Sequence, residues 1–240
     1  MGLFQLRKRN KLAGVCSVVV VAAGSSTRMG QNKILAQLAG VPVIMHSLRT
    51  FEAIEEVGEI IVVTQEDMIP QIGALCHEYR LNKVKKIVRG GANRAESSRL
   101  GTLEVNCDAQ VIAIHDGARP LVTEPVIREV IHRGLETGAA APAIPVKDTI
   151  KLADKGIVEK TLDRSQLYAV QTPQVFESSL IRAALQKAIE DEAEVTDDCS
   201  AVERLGMKVS LTTGDERNLK LTTPMDMLWA ECLLNEGMVR

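Results

Sequence analysis

The chain has 240 residues, of which 45% are hydrophobic and 25% are charged. This composition supports a sizeable core and excludes wholesale disorder, and the length allows one large domain or two small ones. The formal net charge is -2, and the aromatic residues number only 3 Phe, 2 Tyr and 1 Trp. Both figures argue against a dedicated nucleic-acid binder, which needs surplus positive charge and aromatic rings for base stacking.

The cysteines and histidines indicate neither a disulfide framework nor a zinc site. The five cysteines are widely spaced without a C-x-x-C pair, and the four histidines form no H-E-x-x-H motif. A basic start followed by apolar residues 12–23 imitates a secretory signal, but the valine run 18–21 favours a β-strand. We therefore expect a cytoplasmic protein without a membrane partner, in which residues 1–12 form a disordered basic tail.

Short apolar runs alternate with helical patterns in the first half of the chain. Buried strands are predicted at 17–21, 59–64, 86–88 and 111–114, and helices at 43–53, 70–80 and 95–105. This alternation predicts an α/β fold with a mostly parallel sheet and helices on both faces. A further helix is expected to begin near Thr123, because threonine can cap it and Pro125 suits its first turn.

The second half departs from this alternation. It predicts strands at 139–146 and 208–211, a hairpin of strands 149–152 and 157–162, and helices at 178–190, at 197–205 and after Thr223. A hairpin has no place in the core of a parallel sheet, so it must project and can reach a partner chain. We predict a single domain, residues 13–240, with a protruding arm at about 147–170.

A run of small residues follows the first predicted strand, from Ala22 to Lys33. Backbone N–H groups in such a loop can cradle an anion, and Arg28 and Lys33 add positive charge. The run matches neither G-x-x-x-x-G-K-[ST] nor G-x-G-x-x-G, which excludes the two best-known phosphate loops. A phosphate-binding loop of another kind is predicted, and a polar turn with two solvated bases is the alternative.

The fourth predicted strand ends in H-D-G-A-R-P, residues 115–120. Asp116 could hold Mg²⁺ beside a phosphate loop, and Arg119 could pair with a phosphate, although Asp-Gly is also a common turn former. Residues 90–97 form another loop that suits a base or a ribose, and a structural turn explains it at least as well. Thr196 is expected to be the N-cap of the helix after it.

Taken together, the motifs resemble one known family. In chain order they are A-A-G-S-S-T-R-M-G-x-N-K, G-G-x-x-R-x-x-S, H-D-G-A-R-P, V-K-D-T-I, D-R, Q-T-P-Q, T-D-D and N-L-K-x-T-x-P-x-D. Their order resembles that of the 2-C-methyl-D-erythritol 4-phosphate cytidylyltransferases, from about Ser17 to Leu234. The ribitol-5-phosphate cytidylyltransferases share much of the pattern and remain an alternative. A nucleotide-binding module without turnover is an alternative from another class.

The resemblance implies a Rossmann-like nucleotidyltransferase fold, dependence on Mg²⁺ and a homodimer built on the arm. It implies CTP and a polyol phosphate as substrates, with no nucleic-acid partner. The expected reaction transfers the cytidylyl group to 2-C-methyl-D-erythritol 4-phosphate, in the non-mevalonate isoprenoid precursor pathway. The products are 4-diphosphocytidyl-2-C-methyl-D-erythritol and pyrophosphate.

The resemblance also assigns roles to residues. Arg28 and Lys33 resemble the pair that stabilises the transition state, and Asp116 resembles the metal-binding carboxylate. Arg164 and Lys220 resemble the groups that position the methylerythritol phosphate, with Arg164 contributed across the dimer. The remaining positions that resemble substrate-binding residues are Ala22, Ala23, Gly24, Ser25, Gly91, Ser97, Arg119, Thr149, Thr172 and Thr196.

Overall fold

A computed structural model describes residues 12–24 and 33–239 of the chain. The strands are β1 (Cys16–Val21), β2 (Gln37–Leu38), β3 (Val41–Pro42), β4 (Val57–Thr64), β5 (Val84–Arg89), β6 (Val111–Asp116), β7 (Ala139–Pro145), β8 (Lys151–Asp154), β9 (Ile157–Thr161), β10 (Tyr168–Val170), β11 (Gln174–Glu177) and β12 (Ser210–Thr213). The helices are α1 (Val43–Ala53), α2 (Ile69–Glu78), α3 (Arg94–Leu103), α4 (Glu124–Thr137), α5 (Ser178–Glu190), α6 (Asp198–Arg204) and α7 (Pro224–Asn235). None of the helices among these residues is long and apolar enough to cross a membrane.

One large sheet organises the described part of the chain, in the order β10-β7-β11-β6-β1-β4-β5, with β12 beside β7. Strands β1, β4, β5 and β6 pair in parallel, and β12 is parallel to β7. Only β10 and β11 run antiparallel to their neighbours in this sheet. The prediction of a mostly parallel α/β fold is confirmed.

The central strand explains why the sheet is covered on both faces. Val18 and Val20 point into one apolar cluster with α1, α2 and α4, whereas Val19 points into a second cluster with α5 and α6. A strand that is apolar on both sides is stable only when helices cover both. The valine run therefore places β1 at the centre of the sheet. The loop after Val21 consequently begins at the carboxyl edge of the central strands.

Helix α3 lies unusually close to the sheet because Gly101 has no side chain. A Cβ at this position would lie 2.3 Å from Cγ1 of Val19 and 2.7 Å from Cγ2 of Val63. The close approach places the first turn of α3, which begins at Arg94, beside the carboxyl ends of the central strands.

The structure corrects several local predictions. Asp197, and not Thr196, is the N-cap of α6, because its side chain accepts a hydrogen bond from the backbone N–H of Ser200 at 2.9 Å. Strands β10 and β11 were not predicted. At the start of α7, by contrast, the predicted capping box of Thr223 and Asp226 is present.

The arm differs from the rest of the fold. Strands β8 and β9 pair with each other as the predicted hairpin and form a two-stranded sheet of their own. Every residue of both strands is exposed, including Ile157 with 74% of its surface accessible. The extent of the single domain stays a prediction, and so does the basic tail at 1–12, of which residues 1–11 lie outside the described part. Leu12, the last residue of that predicted tail, is half-buried and packs against the apolar core.

Candidate active site

A cavity of about 420 Å³ opens at the carboxyl ends of β1 and β6. It is lined by Val21, Ala22, Ala23, Gly24, Lys33, Ile34, Gly91, Ala92, Asn93, Arg94, Ser97, Asp116, Ala118, Lys220 and Thr222. Eight residues predicted from the sequence are among them: Ala22, Ala23, Gly24, Lys33, Gly91, Ser97, Asp116 and Lys220. Ser25 and Arg28, also predicted, lie outside the described residues.

The loop that precedes α3 is shaped by its own hydrogen bonds. The hydroxyl of Ser97 accepts from the backbone N–H of Gly91 at 3.1 Å and donates to the carbonyl of Asn93 at 2.8 Å. The Glu96 carboxylate accepts from the N–H of Ala92 at 2.7 Å. Gly91 is required here, because a Cβ would lie 2.3 Å from Cγ of Glu96. One wall of the cavity is thus held by contacts within the loop itself.

Asp116 is the carboxylate around which cationic side chains group in the cavity. Its side chain is only 10% exposed, and its carboxylate meets Arg94 Nε at 3.1 Å, Lys220 Nζ at 2.8 Å and Arg119 Nε at 3.8 Å. Burial alone would raise the pKa of Asp116, but the charges of Arg94 and Lys220 outweigh burial and hold the pKa well below its usual range. Asp116 is therefore ionised throughout the physiological pH range.

A second carboxylate lies behind this cluster. Asp198, the first residue of α6, has only 1% of its side chain exposed and meets Arg94 Nη1 at 2.7 Å. Burial raises the pKa of Asp198, and the neighbouring Arg94 opposes that shift. The sequence motifs include both Arg94 and Asp198, yet sequence reasoning assigned neither a role, because their contact depends on the fold.

Residues 171–174, the Q-T-P-Q hub, hold three of the charged segments in place. Gln171 donates from Nε2 to the carbonyl of Asp215 at 2.7 Å, which fixes the loop that leads to Lys220. The Thr172 hydroxyl accepts from the backbone N–H of Asp116 at 3.1 Å. Gln174 Oε1 accepts from the backbone N–H groups of Asp198 and Cys199, each at 3.0 Å. All three side chains are buried.

His115 completes this support and is not a proton carrier. Its ring lies between the Thr172 hydroxyl, 3.1 Å from Nδ1, and the carbonyl of Arg119, 3.1 Å from Nε2. These partners assign the neutral ring, in which Nε2–H donates to the carbonyl and Nδ1 accepts from the hydroxyl. Burial lowers the pKa of His115 to about 4, so the ring stays neutral at physiological pH.

The other predicted site residues lie away from the cavity lining. Arg119 borders Asp116 and donates from Nη1 to the carbonyl of Asn218 at 2.6 Å. Thr172 is buried beneath Asp116, where it positions the strand end and leaves no surface to the cavity. Thr149, Arg164 and Thr196 are exposed, and Arg164 donates from Nη1 to the carbonyl of Lys147 at 2.8 Å, across the base of the arm. Their roles toward substrate stay predictions.

The residues present fit a magnesium ion that arrives with its substrate. Within the described ranges no three or more His, Cys, Asp and Glu side chains group as a complete metal cage. Mg²⁺, however, is commonly held by one or two carboxylates together with substrate phosphates and water. Asp116, ionised and facing the cavity, can supply that one carboxylate.

Comparisons with known proteins identify the family to which the chain is similar. The family model of IspD, 2-C-methyl-D-erythritol 4-phosphate cytidylyltransferase, matches residues 16–236. The chain is 47% identical over 228 residues to the protein of that name from Caldanaerobacter subterraneus, covering 92% of this chain and 99% of the relative. It is 44% identical over 222 residues to the protein of the same name from Halalkalibacterium halodurans, covering 92% and 97%.

Comparison with a solved structure points to the same family. The fold is similar to that of 4-diphosphocytidyl-2C-methyl-D-erythritol synthase from Anaerococcus prevotii, with a TM-score of 0.82 and 29% identity. The similarity covers 92% of this chain and 98% of that one. With the sequence matches, this likeness extends over nearly all of the described residues. The chain belongs to the 2-C-methyl-D-erythritol 4-phosphate cytidylyltransferase family and is a nucleotidyltransferase.

Proposed function

We propose that the chain transfers the cytidylyl group of CTP to 2-C-methyl-D-erythritol 4-phosphate, with release of pyrophosphate. Family membership supports this function. The observation that carries it is the cluster at Asp116, where cationic side chains from separate segments converge in a cavity beside the loop after β1. A reaction between two polyanions needs such converging positive charge.

The chemistry is one substitution at phosphorus. An oxygen of the acceptor's phosphate attacks the α-phosphorus of CTP, a new P–O bond forms, and the bond to pyrophosphate breaks. A phosphate monoester is already anionic near neutral pH, so no general base is needed. The neutral, buried His115 fits a reaction that has no proton to remove.

The cations overcome repulsion between the substrates. Lys220 has 43% of its side chain exposed and can turn from Asp116 toward a phosphate, while Lys33 lines the same cavity. With Arg28, these groups stabilise the charge that develops in the transition state. Mg²⁺, when bound, would add positive charge at the phosphate oxygens. Asp116 is the residue that would hold it.

The arm supports a homodimer. An isolated two-stranded hairpin is marginally stable in water, yet β8 and β9 expose Leu152, Ile157 and Val158 to solvent. Packing against a second copy would bury these side chains. In that dimer, Thr149 and Arg164 would complete the partner's cavity, which explains why neither lines the cavity of its own chain.

A cytoplasmic location is proposed on the state of the cysteines. All five are free thiols, and Cys16, Cys76 and Cys199 are buried. Unpaired thiols are usual in proteins of reducing compartments.

The test is pyrophosphate release from CTP and Mg²⁺, measured with methylerythritol 4-phosphate, with ribitol 5-phosphate and without acceptor. We expect release that depends on methylerythritol phosphate and is weak with ribitol phosphate. The reverse preference would keep the mechanism and overturn the acceptor. CTP binding by folded chain without release from either acceptor would contradict the proposed function.

A further inference from the structure

Arg94 joins two carboxylates that belong to different elements. Its Nε contacts Oδ1 of Asp116 at 3.1 Å, and its Nη1 contacts Oδ2 of Asp198 at 2.7 Å. The guanidinium is planar and holds its N–H groups at fixed angles. A constraint on one of the two ion pairs therefore constrains the geometry of the other.

Asp198 is the fixed end of this bridge. Its side chain is buried at the first residue of α6, and Gln174 accepts from its backbone N–H. A buried carboxylate that loses its cation is strongly destabilised, so Arg94 cannot leave it without a large cost. Lys220 contacts the other oxygen of Asp116, Oδ2, and its exposure lets water or phosphate replace that contact.

We propose that the Asp198–Arg94 pair is a positioning device that holds Oδ1 of Asp116 and reserves Oδ2 as the oxygen that exchanges partners. Oδ2 contacts Lys220 Nζ at 2.8 Å and, more distantly, Arg119 Nε at 3.8 Å. In a complex with CTP, Lys220 would pair with the phosphates, and Asp116 would be the residue that holds the cation, through the oxygen that Lys220 leaves. The inference rests on the proposed Mg²⁺ requirement. Asp198, which is buried and does not line the cavity, acts through Arg94 and Asp116 and is a positioning residue, whereas Arg94 both lines the cavity and positions Asp116.

Loss of the anchor gives a specific expectation. In Asp198→Asn, the Arg94 guanidinium is no longer shared and can form a two-pronged pair with both oxygens of Asp116. Oδ2 is then blocked, so cation binding weakens while the loop at Gly91 and Ser97 is unchanged. In Arg94→Lys the positive charge remains, but a single ammonium lacks the fork that spans the two carboxylates.

The experiment measures cation binding directly. Mn²⁺, a paramagnetic substitute, is titrated into the full chain with a non-hydrolysable CTP analogue, and its Kd is read by electron paramagnetic resonance. We expect both variants to raise the Kd for Mn²⁺ about 10–100-fold, the usual effect of losing an outer-shell partner. Turnover with Mg²⁺ should show a lower kcat with little change in KM for CTP. The matched controls are Asp191→Asn and Arg133→Lys, which alter exposed ion pairs.

Each possible result either supports or overturns the positioning role. A shifted Kd with a lower kcat in both variants, and neither change in the controls, supports the positioning role. An unchanged Kd and kcat in both variants, with only a lower free energy of unfolding, overturns it and leaves the pair as a structural contact. A wild-type chain that binds no Mn²⁺ with the analogue and turns over without divalent cations overturns this inference together with the proposed Mg²⁺ requirement. Pyrophosphate release would still test the transfer reaction separately.

Discussion

The Q-T-P-Q hub and the arm lie close in sequence but are held in opposite ways. In the hub, buried side chains bind the backbones of three other segments, so the positions of Asp116, Asp198 and the loop before Lys220 are determined within one chain. In the arm, no residue of β8 or β9 is buried. Charges that must be preorganised are thus fixed internally, whereas residues of the arm depend on what packs against it.

The largest expected effect comes from a charge that the hub positions. Lys220→Ala should lower kcat about 10²–10³-fold, as removal of a preorganised charge-stabilising group does. The fold should persist, because Lys220 is partly exposed and Asp116 keeps Arg94 as a partner. Pyrophosphate release and thermal unfolding measure the two quantities, with the exposed Lys208→Ala as the control. Full turnover by Lys220→Ala would remove the residue from the mechanism.

Acid should destabilise the fold through His115, whose ring contacts Thr172 of the hub. The pKa of His115 is about 4 when folded, below its ordinary value of 6.5, so the unfolded chain binds the proton first as the pH falls. The free energy of unfolding should therefore decrease from pH 6.5 toward pH 4, by about 3 kcal/mol in total.

Urea unfolding at pH 7 and pH 5 measures this dependence. His46 also has a pKa lowered by burial and adds to it in the same direction. The informative comparison is therefore between variants. His115→Gln should reduce the difference between the two pH values, whereas His77→Gln, at an exposed position on α2, should retain it. An unaltered difference in His115→Gln would exclude His115 as its source.

A substitution in the arm should weaken association between two chains and leave the folding of each chain nearly unchanged. Ile157→Ser should raise the dimer dissociation constant about 10–100-fold, because a buried isoleucine contributes about 1.5–3 kcal/mol. The free energy of unfolding of the separated chain should change by no more than about 0.5 kcal/mol. Sedimentation measures the first and urea unfolding the second, with Leu103→Ser as an exposed control on α3. A dissociation constant equal to that of the wild type would contradict packing through this hairpin.

A smaller, internal effect is expected at the hub itself. Gln174→Ala leaves the buried N–H groups of Asp198 and Cys199 without their acceptor, which should cost about 1–3 kcal/mol of unfolding free energy. Urea denaturation measures the loss, and Gln186→Ala, at an exposed position, is the control. If both variants were equally stable, the hub would not hold α6 as described.

Much of the fold could be predicted because its signals are local. Apolar periodicity gave α1 and α5 their observed bounds, and the valine run identified β1. The two antiparallel strands β10 and β11 could not be found this way, because they are only three and four residues long and their pairing depends on strands that are distant in sequence. The N-cap of α6 was misplaced by one residue, since Thr196 and Asp197 are both capping types and only backbone geometry distinguishes them.

The site residues also divide into those that the sequence reveals and those that only the fold reveals. Asp116, Lys220 and the loop at Gly91 stand out as motifs at strand ends or beside helices, and the cavity brings them together. Arg94 and Asp198 also belong to motifs, but the sequence does not reveal that they pair, because a buried ion pair between distant segments is visible only once the chain is folded. The side chain of Thr172 belongs to a recognisable motif, but the sequence cannot reveal that it faces His115 and not the cavity.

Gly101 has no side chain, and this affects the size of the cavity. Arg94 lies in the first turn of α3 and the wall at Gly91 directly precedes that turn, so a shift of the helix would displace both. In Gly101→Ala, the new Cβ would lie 2.3 Å from Cγ1 of Val19. Removing this clash requires α3 to shift away from the sheet by a distance on the order of an ångström. The gap between that wall and the strand ends would widen accordingly. The dimensions of the cavity are therefore set in part by a position that does not line it.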